Sequence, residues 1–376
     1  FDLSGIEEKM LPYVGILQSV LGIIDTTNYE YGALFNEINV HTGGIGTSLE
    51  LYADVTKVKE KEFRATFEMK GKALYPKMDV LFSMMREILM ESKLDDEKRL
   101  KEIIAMLRSR LQMSFLSSGH TTAALRALSY TSPIAKFKDD TDGIGFYEVV
   151  KAIEEDFDGH KAELIRNLKD ISRKIFRTDN LMISYTSAEQ GLEPMESAFR
   201  AVKDSFNRGA EDEGPLNTGG HSDTGLHAAE KSAETACVIH CRKRNEGFKT
   251  SSKVQYVARA GNFIDGGAEY TGALQILKVI LSYDYLWQNV RVKGGAYGCM
   301  SNFNRIGEGY MMSYRDPNLE KTMEIYEGVV DYLENFNVDD RDMNKFIIGT
   351  ISNMDRPMNP AAKGSRSMNL YMNHVT

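Results

Sequence analysis

The spacing of apolar residues predicts a chain in which helices and short strands alternate. Residues 11–24 carry Leu, Ile and Val with few charges, which predicts a buried helix. Apolar and polar residues alternate at 49–55 and 63–69, as in half-buried strands. A spacing of four and three residues then marks one buried face of a long helix, at Leu100, Ile104, Leu107, Leu111 and Phe115. The same reasoning predicts a short helix at 29–39, a helix opened by Pro76, helices at 146–157 and 161–175, and a returning strand at 181–186.

The composition changes at residues 207–235, where Gly, Asp, Asn, Ser and Thr dominate and almost nothing can be buried. This stretch predicts a long exposed linker. The pattern then restarts with strands at 237–241 and 254–260, an apolar helix at 272–283, an aromatic helix through Trp287, a strand pair and a helix opened by Pro317. We therefore predict an α+β fold of two homologous domains, each a mainly antiparallel sheet packed against helices, at residues 1–206 and 236–376.

The two halves follow one plan, which consists of an apolar helix, a short helix, a Gly-Gly pair, two strands and an amphipathic helix. When Gly43-Gly44 is placed on Gly294-Gly295, Arg291 falls opposite Val40 and Tyr297 opposite Gly46. Since only the second copy carries this polar pair, Arg291 and Tyr297 are better functional candidates than residues that both copies share.

Composition narrows the possible partners. The formal net charge of −8 argues against a nucleic-acid partner. No apolar run reaches the length of a membrane-spanning helix. Three cysteines cannot form a closed set of disulfides, which favours a reducing compartment. We favour the bacterial cytoplasm and keep an organelle matrix as the alternative.

Metal and nucleophile motifs are weak in this chain. His227-x-x-Glu230-Lys231 has Lys where an inverted zinc motif has its second His, and Lys is a poor zinc ligand. Cys237 and Cys241 would share one face of a strand with His240 on the other, which favours buried cysteines over a metal site. The chain also lacks a Gly-x-Ser-x-Gly motif. We expect no metal site on this chain.

Arg291 and Tyr297 flank Gly294 and Gly295, a glycine pair that lets another backbone come close. One interpretation is structural, with an exposed Arg at a helix end and a Tyr packed into a sheet. The other is functional, because Arg and a Tyr hydroxyl both donate to a carbonyl oxygen as it gains negative charge. The residues alone leave both interpretations open.

Several separated motifs resemble the presequence-protease branch of the pitrilysin/insulinase family. They are Leu3-Ser4-Gly5-Ile6, Thr42-Gly43-Gly44-Ile45, Leu286-Trp287-x-x-Val290-Arg291-x-x-Gly294-Gly295-Ala296-Tyr297-Gly298, Ser313-Tyr314-Arg315-Asp316-Pro317-Asn318 and Met354-Asp355-x-Pro357-x-x-Pro360-x-x-Lys363-Gly364. The family's members are zinc metallopeptidases of four homologous α+β domains, whose two halves close around an unfolded peptide. The resemblance implies that this chain is the second half.

The resemblance also implies where the chemistry lies. The zinc motif H-x-x-E-H belongs to the first domain of the family, so zinc is expected on the missing N-terminal half and none on this chain. Arg291 and Tyr297 match the Arg and Tyr of the fourth domain that reach the substrate, and Gly294 and Gly295 lie between them. The expected partners are the N-terminal half and unfolded peptides. The expected function is a zinc metalloendopeptidase whose C-terminal half is inactive alone.

Two alternatives remain. The chain could be a non-catalytic scaffold or peptide-binding subunit of the same family, or a free-standing half that assembles with a separate catalytic chain. The resemblance further implies that Phe1 follows the opening strand of the third domain and that Thr376 precedes the last helix and strand of the fourth.

Overall fold

The computed structural model describes residues 1–207 and 239–375. Helices dominate these residues. They are α1 (Leu11–Val20), α2 (Tyr31–His41), α3 (Met78–Met90), α4 (Glu97–Ser117), α5 (Gly119–Leu128), α6 (Pro133–Asp142), α7 (Ile144–Glu155), α8 (Phe157–Ile175), α9 (Leu192–Lys203), α10 (Ala273–Ile280), α11 (Glu320–Glu327), α12 (Val329–Glu334), α13 (Asp340–Met354) and α14 (Pro360–Met372). Two π-helical segments follow α10, at Leu281–Tyr285 and Trp287–Val292. Short 3-10 turns lie at Glu8–Met10, Tyr75–Lys77, Thr178–Asn180, Glu189–Gly191 and Asp204–Asn207.

Two small sheets complete the α+β fold. Strands β1 (Ile45–Ala53) and β2 (Phe63–Gly71) pair with each other. Strands β3 (Ala258–Asn262), β4 (Gly298–Phe303) and β5 (Glu308–Tyr314) form an antiparallel sheet with β5 in the centre. Met312 of β5 lies opposite Ala258 on one side and Met300 on the other. The predicted fold class is therefore confirmed.

The chain divides into two compact units. The first comprises the described residues of Phe1–Leu51, Arg64–Ile104 and Ile153–Val238. In it α1 packs against α8, which contributes Leu164, Leu168, Ile171 and Ile175 to the core. The ring of Phe176 lies 5.1 Å from the rings of both Phe1 and Phe67.

The second unit comprises the described residues of Tyr52–Phe63, Ala105–Ala152 and Ile239–Thr376. Here α5 packs on β3 and β5. At the start of α5 a Cβ on Gly119 would lie 2.2 Å from the ring of Tyr256, so only glycine admits this ring. This unit is built from three separate stretches of the chain, and these stretches come from both predicted domains. The boundaries at 1–206, 207–235 and 236–376 stay a prediction.

Two predicted strands are wrong where the structure describes them. Residues 181–186 carry no regular secondary structure, and Met182 and Ile183 are exposed. Residues 239–241 also lie outside any strand. The local pattern does not make a strand by itself, because a strand exists only where a neighbour supplies ladder hydrogen bonds. The rest of the 237–241 segment, nearly all of the predicted linker and the His227–Lys231 motif lie outside the described residues.

An ionic cluster attaches the irregular segment before β3 to α5. Arg126 donates to Glu246 at 2.8 Å and to the fully buried Asp139 at 2.6 Å. The Tyr130 hydroxyl also donates to Glu246. Hydrogen bonding from Arg126, together with that from Tyr130, lowers the pKa of Glu246 from its ordinary 4.5 to about 2. Burial and the hydrogen bond with Glu246 raise the pKa of Tyr130 to about 12.

We expect Glu246→Gln to destabilise the protein by about 1–2 kcal/mol at pH 7, because it removes one charge from a partly shielded cluster. A depressed carboxyl pKa stabilises the fold above its unfolded value and loses that effect as pH falls through the folded value. The difference between variant and wild type should therefore shrink between pH 4.5 and about 2. Urea unfolding at several pH values measures it.

Glu196→Gln is the matched control, since Glu196 pairs with Arg200 on the exposed surface of α9. It should change stability by less than about 0.5 kcal/mol at any pH. An equal loss in both variants would contradict the assigned role of the Glu246 cluster.

Candidate functional site

The segment before Arg291 winds as a π-helix. The turns at Leu281–Tyr285 and Trp287–Val292 are wider than those of α10, and Lys293 N–H donates to the carbonyl of Gln288, five residues earlier, at 3.0 Å. Leu286 and Val290 are fully buried in the core of the second unit. π-Helical turns are rare and occur frequently at functional sites. The buried face fixes this helix, and Trp287 and Arg291, each next in sequence to a buried residue, are partly exposed beside it.

The π-helix ends at Gly294 and Gly295, and glycine is needed at each of these positions for a different reason. A Cβ on Gly294 would lie 2.4 Å from the carbonyl oxygen of Val290, so no side chain fits there. Gly295 has φ +81°, the left-handed conformation that commonly ends helices. Gly295 N–H donates to the carbonyl of Arg291 at 2.9 Å, and Ala296 N–H donates to that of Val290 at 3.1 Å. The turn is therefore tightly bonded.

Asp316 fixes the glycine turn indirectly, through Asn318. Its side chain is fully buried and accepts from Asn318 N–H at 2.9 Å and from the Thr322 hydroxyl at 2.8 Å. The Asn318 side chain in turn donates to the carbonyl of Gly294 at 2.6 Å. This chain of hydrogen bonds connects the beginning of α11 to the glycine pair and fixes the pair's position.

Arg291 lies between two aromatic rings. Its Cζ is 4.0 Å from the ring centroid of Trp287 and 5.9 Å from that of Tyr297. Guanidinium groups stack favourably on aromatic faces, worth about 0.5–1 kcal/mol at exposed sites and more when desolvated. Stacking holds the plane of the guanidinium and leaves its N–H groups for another acceptor. The structure thus brings the two predicted site residues together around the glycine pair.

Tyr297 is exposed over 67% of its surface and stands outside the core. Its backbone N–H donates to the carbonyl of Tyr314 at 3.0 Å, and its ring meets that of Tyr314 edge-on at 5.8 Å. His120 of α5 lies behind Tyr314 at 4.7 Å between ring centroids. A row of aromatic rings therefore supports Tyr297, and most of its surface stays exposed.

These positions differ from those that the structural interpretation of Arg291 and Tyr297 expects. The structural interpretation expected Tyr297 packed into a sheet and Arg291 exposed at a helix end. Instead Tyr297 is exposed, and Arg291 is half-buried between rings. The arrangement offers two hydrogen-bond donors on a rigid support, although the roles of Arg291, Tyr297, Gly294 and Gly295 stay a prediction.

The sequence reasoning missed the residues that hold the pair. Trp287 stacks on Arg291, Tyr314 supports Tyr297, and Asn318 holds Gly294. One signal was present, since Trp287 lies four positions before Arg291 and such pairs share a helix face. The contact between Asn318 and Gly294 spans 24 residues and left no local signal.

The first copy of the plan shows what is particular to this site. There α2 is a regular α-helix, and Gly44 takes the left-handed conformation with φ +108° just as Gly295 does. Val40, which the alignment places opposite Arg291, is exposed over 73% of its surface. Both copies share the turn, and the second adds the π-helix, the cation and the aromatic rings.

The residues near the turn give little support for a cysteine nucleophile or a metal site. Burial raises the pKa of the Cys299 thiol to about 11 despite the nearby Arg291, so the thiol stays protonated and is a poor nucleophile. Within residues 1–207 and 239–375, no group of three or more His, Cys, Asp or Glu side chains is placed to hold a metal ion. No helix of that part of the chain has the length and apolar character to cross a membrane.

Two family models match the chain. The first describes the domain associated with M16 peptidases of subfamily C and covers residues 1–153, and the second, "PreP C-terminal domain", covers residues 245–376. The second match includes the whole π-helix, the glycine pair and Asp316. The chain belongs to the pitrilysin/insulinase (M16) family of peptidases, in its presequence-protease branch.

Similar proteins agree with this membership. Protein HypA of Clostridium perfringens (strain 13 / Type A) is 35% identical over 376 residues, which is 100% of this chain and 36% of that protein. Presequence protease 1, chloroplastic/mitochondrial, of Arabidopsis thaliana is 28% identical over 378 residues, which is 100% of this chain and 33% of that protein. The chain therefore spans about a third of the length of these relatives.

Two solved structures share the fold. The peptidase M16 inactive domain from Pseudomonas fluorescens has a TM-score of 0.51 at 12% identity, over 96% of this chain and 78% of that one. The periplasmic protease PqqL from Escherichia coli has a TM-score of 0.51 at 11% identity, over 99% of this chain and 38% of that one. At such identities the likeness concerns the fold alone.

We expect Gly294→Ala to destabilise the protein more than Gly295→Ala. The first collides with a backbone carbonyl at 2.4 Å, whereas the second meets only Pro317, at 3.6 Å, and loses about 1–2 kcal/mol to left-handed strain. Denaturant unfolding followed by the fluorescence of Trp287, the one tryptophan in the sequence, gives both values.

Gly272→Ala serves as the control, because Gly272 precedes α10 with an ordinary φ of −57° and has open space where a Cβ would lie. It should leave stability within about 0.5 kcal/mol of wild type. A larger loss of stability in Gly295→Ala than in Gly294→Ala would contradict the prediction, because it would show that the backbone around Gly294 can move to admit a side chain.

Proposed function

We propose that this chain is the C-terminal half of a zinc metalloendopeptidase that degrades unfolded peptides. In this proposal it closes the peptide chamber and supplies Arg291 and Tyr297 to the substrate. Family membership supports the peptidase class. The observation that carries the site is the guanidinium of Arg291, stacked between Trp287 and Tyr297 with its N–H groups available.

The two donors suit the main chain of a peptide. A carbonyl oxygen under attack gains negative charge, and donors already in place stabilise that charge without reorganising. Arg291 is held by two rings, and Tyr297 is held by its backbone hydrogen bond and by Tyr314. The glycine pair between them lets an extended peptide approach closely, because no side chain projects from the turn.

Zinc belongs to the other half in this proposal. The described residues hold no cluster of side chains suited to a metal, so the present chain offers no fit for the ion there. When bound to its own ligands, zinc would supply the Lewis acid for hydrolysis. The names of the relatives, presequence proteases of chloroplasts and mitochondria, support peptides as the substrate class.

Arg291→Ala in the complete enzyme should lower the turnover of unfolded peptides at least tenfold, because loss of one such donor typically costs about 2.7–4 kcal/mol. Tyr297→Phe should also lower kcat, since it removes the hydroxyl and keeps the ring that Tyr314 and Arg291 contact. Steady-state kinetics on a fluorogenic peptide measures both.

The control is Arg259→Ala in β3, where the arginine pairs with Glu327 on the surface at 3.0 Å. Its kinetics should match wild type. If Arg291→Ala also matches wild type, Arg291 has no catalytic role. If the wild-type complete protein itself fails to cleave peptides, the scaffold alternative is correct.

The chain alone should hydrolyse no peptide when zinc is added. Mixing it with the N-terminal half, produced as a separate chain, should restore zinc-dependent cleavage if the two assemble. The assay is peptide hydrolysis with and without a chelator. Zinc-dependent cleavage by the present chain alone would place metal ligands on it, and His227 and Glu230 would be the first to replace.

A further inference from the structure

Arg315 has an unusual backbone for an arginine. Its φ is +49°, in the left-handed region that glycine and asparagine occupy most readily, and its side chain is exposed. Among the described residues only Lys61 and His374 share such a conformation without being glycine. Backbone strain of this kind persists where the surrounding structure enforces it, and it concentrates at functional sites.

The neighbours of Arg315 enforce the conformation from both sides. Tyr297 N–H donates to the carbonyl of Tyr314 at 3.0 Å and reaches that of Arg315 at 3.4 Å. On the other side Asp316 and Gln255 exchange backbone hydrogen bonds of 2.9 and 2.8 Å. Glycine would satisfy this geometry without strain. The long cationic side chain is therefore the feature that needs an explanation.

The guanidinium of Arg315 lies beside the site already described. Its Cζ is 5.3 Å from the ring centroid of Tyr314, whose ring is 5.8 Å from that of Tyr297. Arg291 lies 5.9 Å from the same Tyr297 ring. The two tyrosines are thus linked to one guanidinium each, Arg291 on Tyr297 and Arg315 on Tyr314. An extended peptide rises about 3.3 Å per residue, so about five residues or fewer cover this path.

Among the described residues, no acid neutralises the two guanidiniums. In that part of the chain neither Arg291 nor Arg315 has a side-chain hydrogen bond or an ion pair, and the side chain of Lys293 donates to the neutral Asn289. Asp316 is near in sequence, but its carboxylate is buried and engaged by Asn318 and Thr322. A chain of net charge −8 therefore keeps, within its described residues, an unpaired basic patch at this turn.

We infer that Arg315 is a specificity-determining residue that binds a carboxylate of the peptide substrate, either an acidic side chain or the C-terminal carboxylate. The inference rests on the proposed function and assigns a second subsite to the same site. Arginine suits this role because its planar fork matches a carboxylate with two hydrogen bonds. Arg291 and Tyr297 would hold the main chain, and Arg315 would fix which residues lie beside them.

The test uses the complete enzyme and a set of matched peptides. One pair differs by Glu or Gln at successive positions, and a second pair ends in a free carboxylate or an amide. We expect wild type to prefer the carboxylate member of at least one pair. In Arg315→Gln the ratio of kcat/KM for carboxylate over neutral peptide should fall about three- to fivefold, mainly through KM. The wild-type preference should also weaken as salt rises.

Two further variants control for folding and for general charge. Arg315→Gly relieves the backbone strain, so its thermal midpoint should not fall below wild type while the preference is lost. Arg305→Gln removes another arginine that lies over a tyrosine, Tyr270, at 5.5 Å and away from this turn, and it should keep the preference. A loss confined to one peptide pair identifies the side chain or the C-terminus as the source of the carboxylate.

The outcomes separate the two proposals. If Arg315→Gln leaves every carboxylate preference intact, or wild type shows none, the subsite is wrong even when Arg291→Ala is impaired. If the wild-type complete protein cleaves no peptide, the proposed function fails, and binding still tests Arg315 separately. For that arm the same peptides are titrated into the complete protein by calorimetry. A three- to fivefold weaker affinity of Arg315→Gln for the carboxylate peptide supports the subsite, and equal affinities overturn it.

Discussion

The geometry of the site depends on a single buried carboxylate. Asp316 has no solvent contact, and its oxygens are satisfied by Asn318 and Thr322. Removing a partner from a buried charge is costly, often by several kcal/mol, so the groups around Asp316 have little freedom to move. Because Asn318 also holds the carbonyl of Gly294, the carboxylate determines where the turn lies. Residues separated by more than twenty positions thus behave as one rigid piece.

Rigidity of this kind suits a site that recognises the backbone of its ligand. A peptide presents the same carbonyl and amide groups whatever its sequence, and fixed donors can bind any such chain. The aromatic rings extend the rigid support to the side chains, since Trp287 and Tyr297 confine Arg291 without consuming its N–H groups. Stacking differs from an ion pair in this respect, because an acidic partner would occupy the same donors.

The sequence predicted elements whose signal is local. The four-three spacing through Leu100 and Leu111 indicated α4, and alternation indicated β1 and β2. The predicted strand at residues 181–186 is absent, because a strand needs a neighbouring strand for its hydrogen bonds and the local sequence does not show whether one is present. The same distinction holds at the site. Arg291 and Tyr297 were found through a glycine pair and a comparison of two copies, whereas the contact from Asn318 came only with the fold.

The backbone of the site was the least predictable part. Leu281, Leu286 and Val290 are all buried, but they are five and four residues apart, a spacing that does not place three side chains on one face of an α-helix at about 100° per residue. The apolar pattern predicted a helix there without revealing its π winding. The left-handed Arg315 was equally hidden, since residue type argues against that conformation. Both features require tertiary contacts to enforce them, and both lie beside the candidate donors.

The π winding has a consequence for how relatives are compared. Each residue of an α-helix advances about 100° around the axis. A relative with one residue fewer between Leu281 and Gly294 could return to α-helical winding, and its counterpart of Arg291 would then point away from the turn by about that angle. An alignment gap inside this segment is therefore not a neutral length difference. Relatives can therefore be sorted by the number of residues between their counterparts of Leu281 and Gly294. Those with the same number keep the counterpart of Arg291 at the turn, and those with one fewer carry the arginine in their sequence but not at that place.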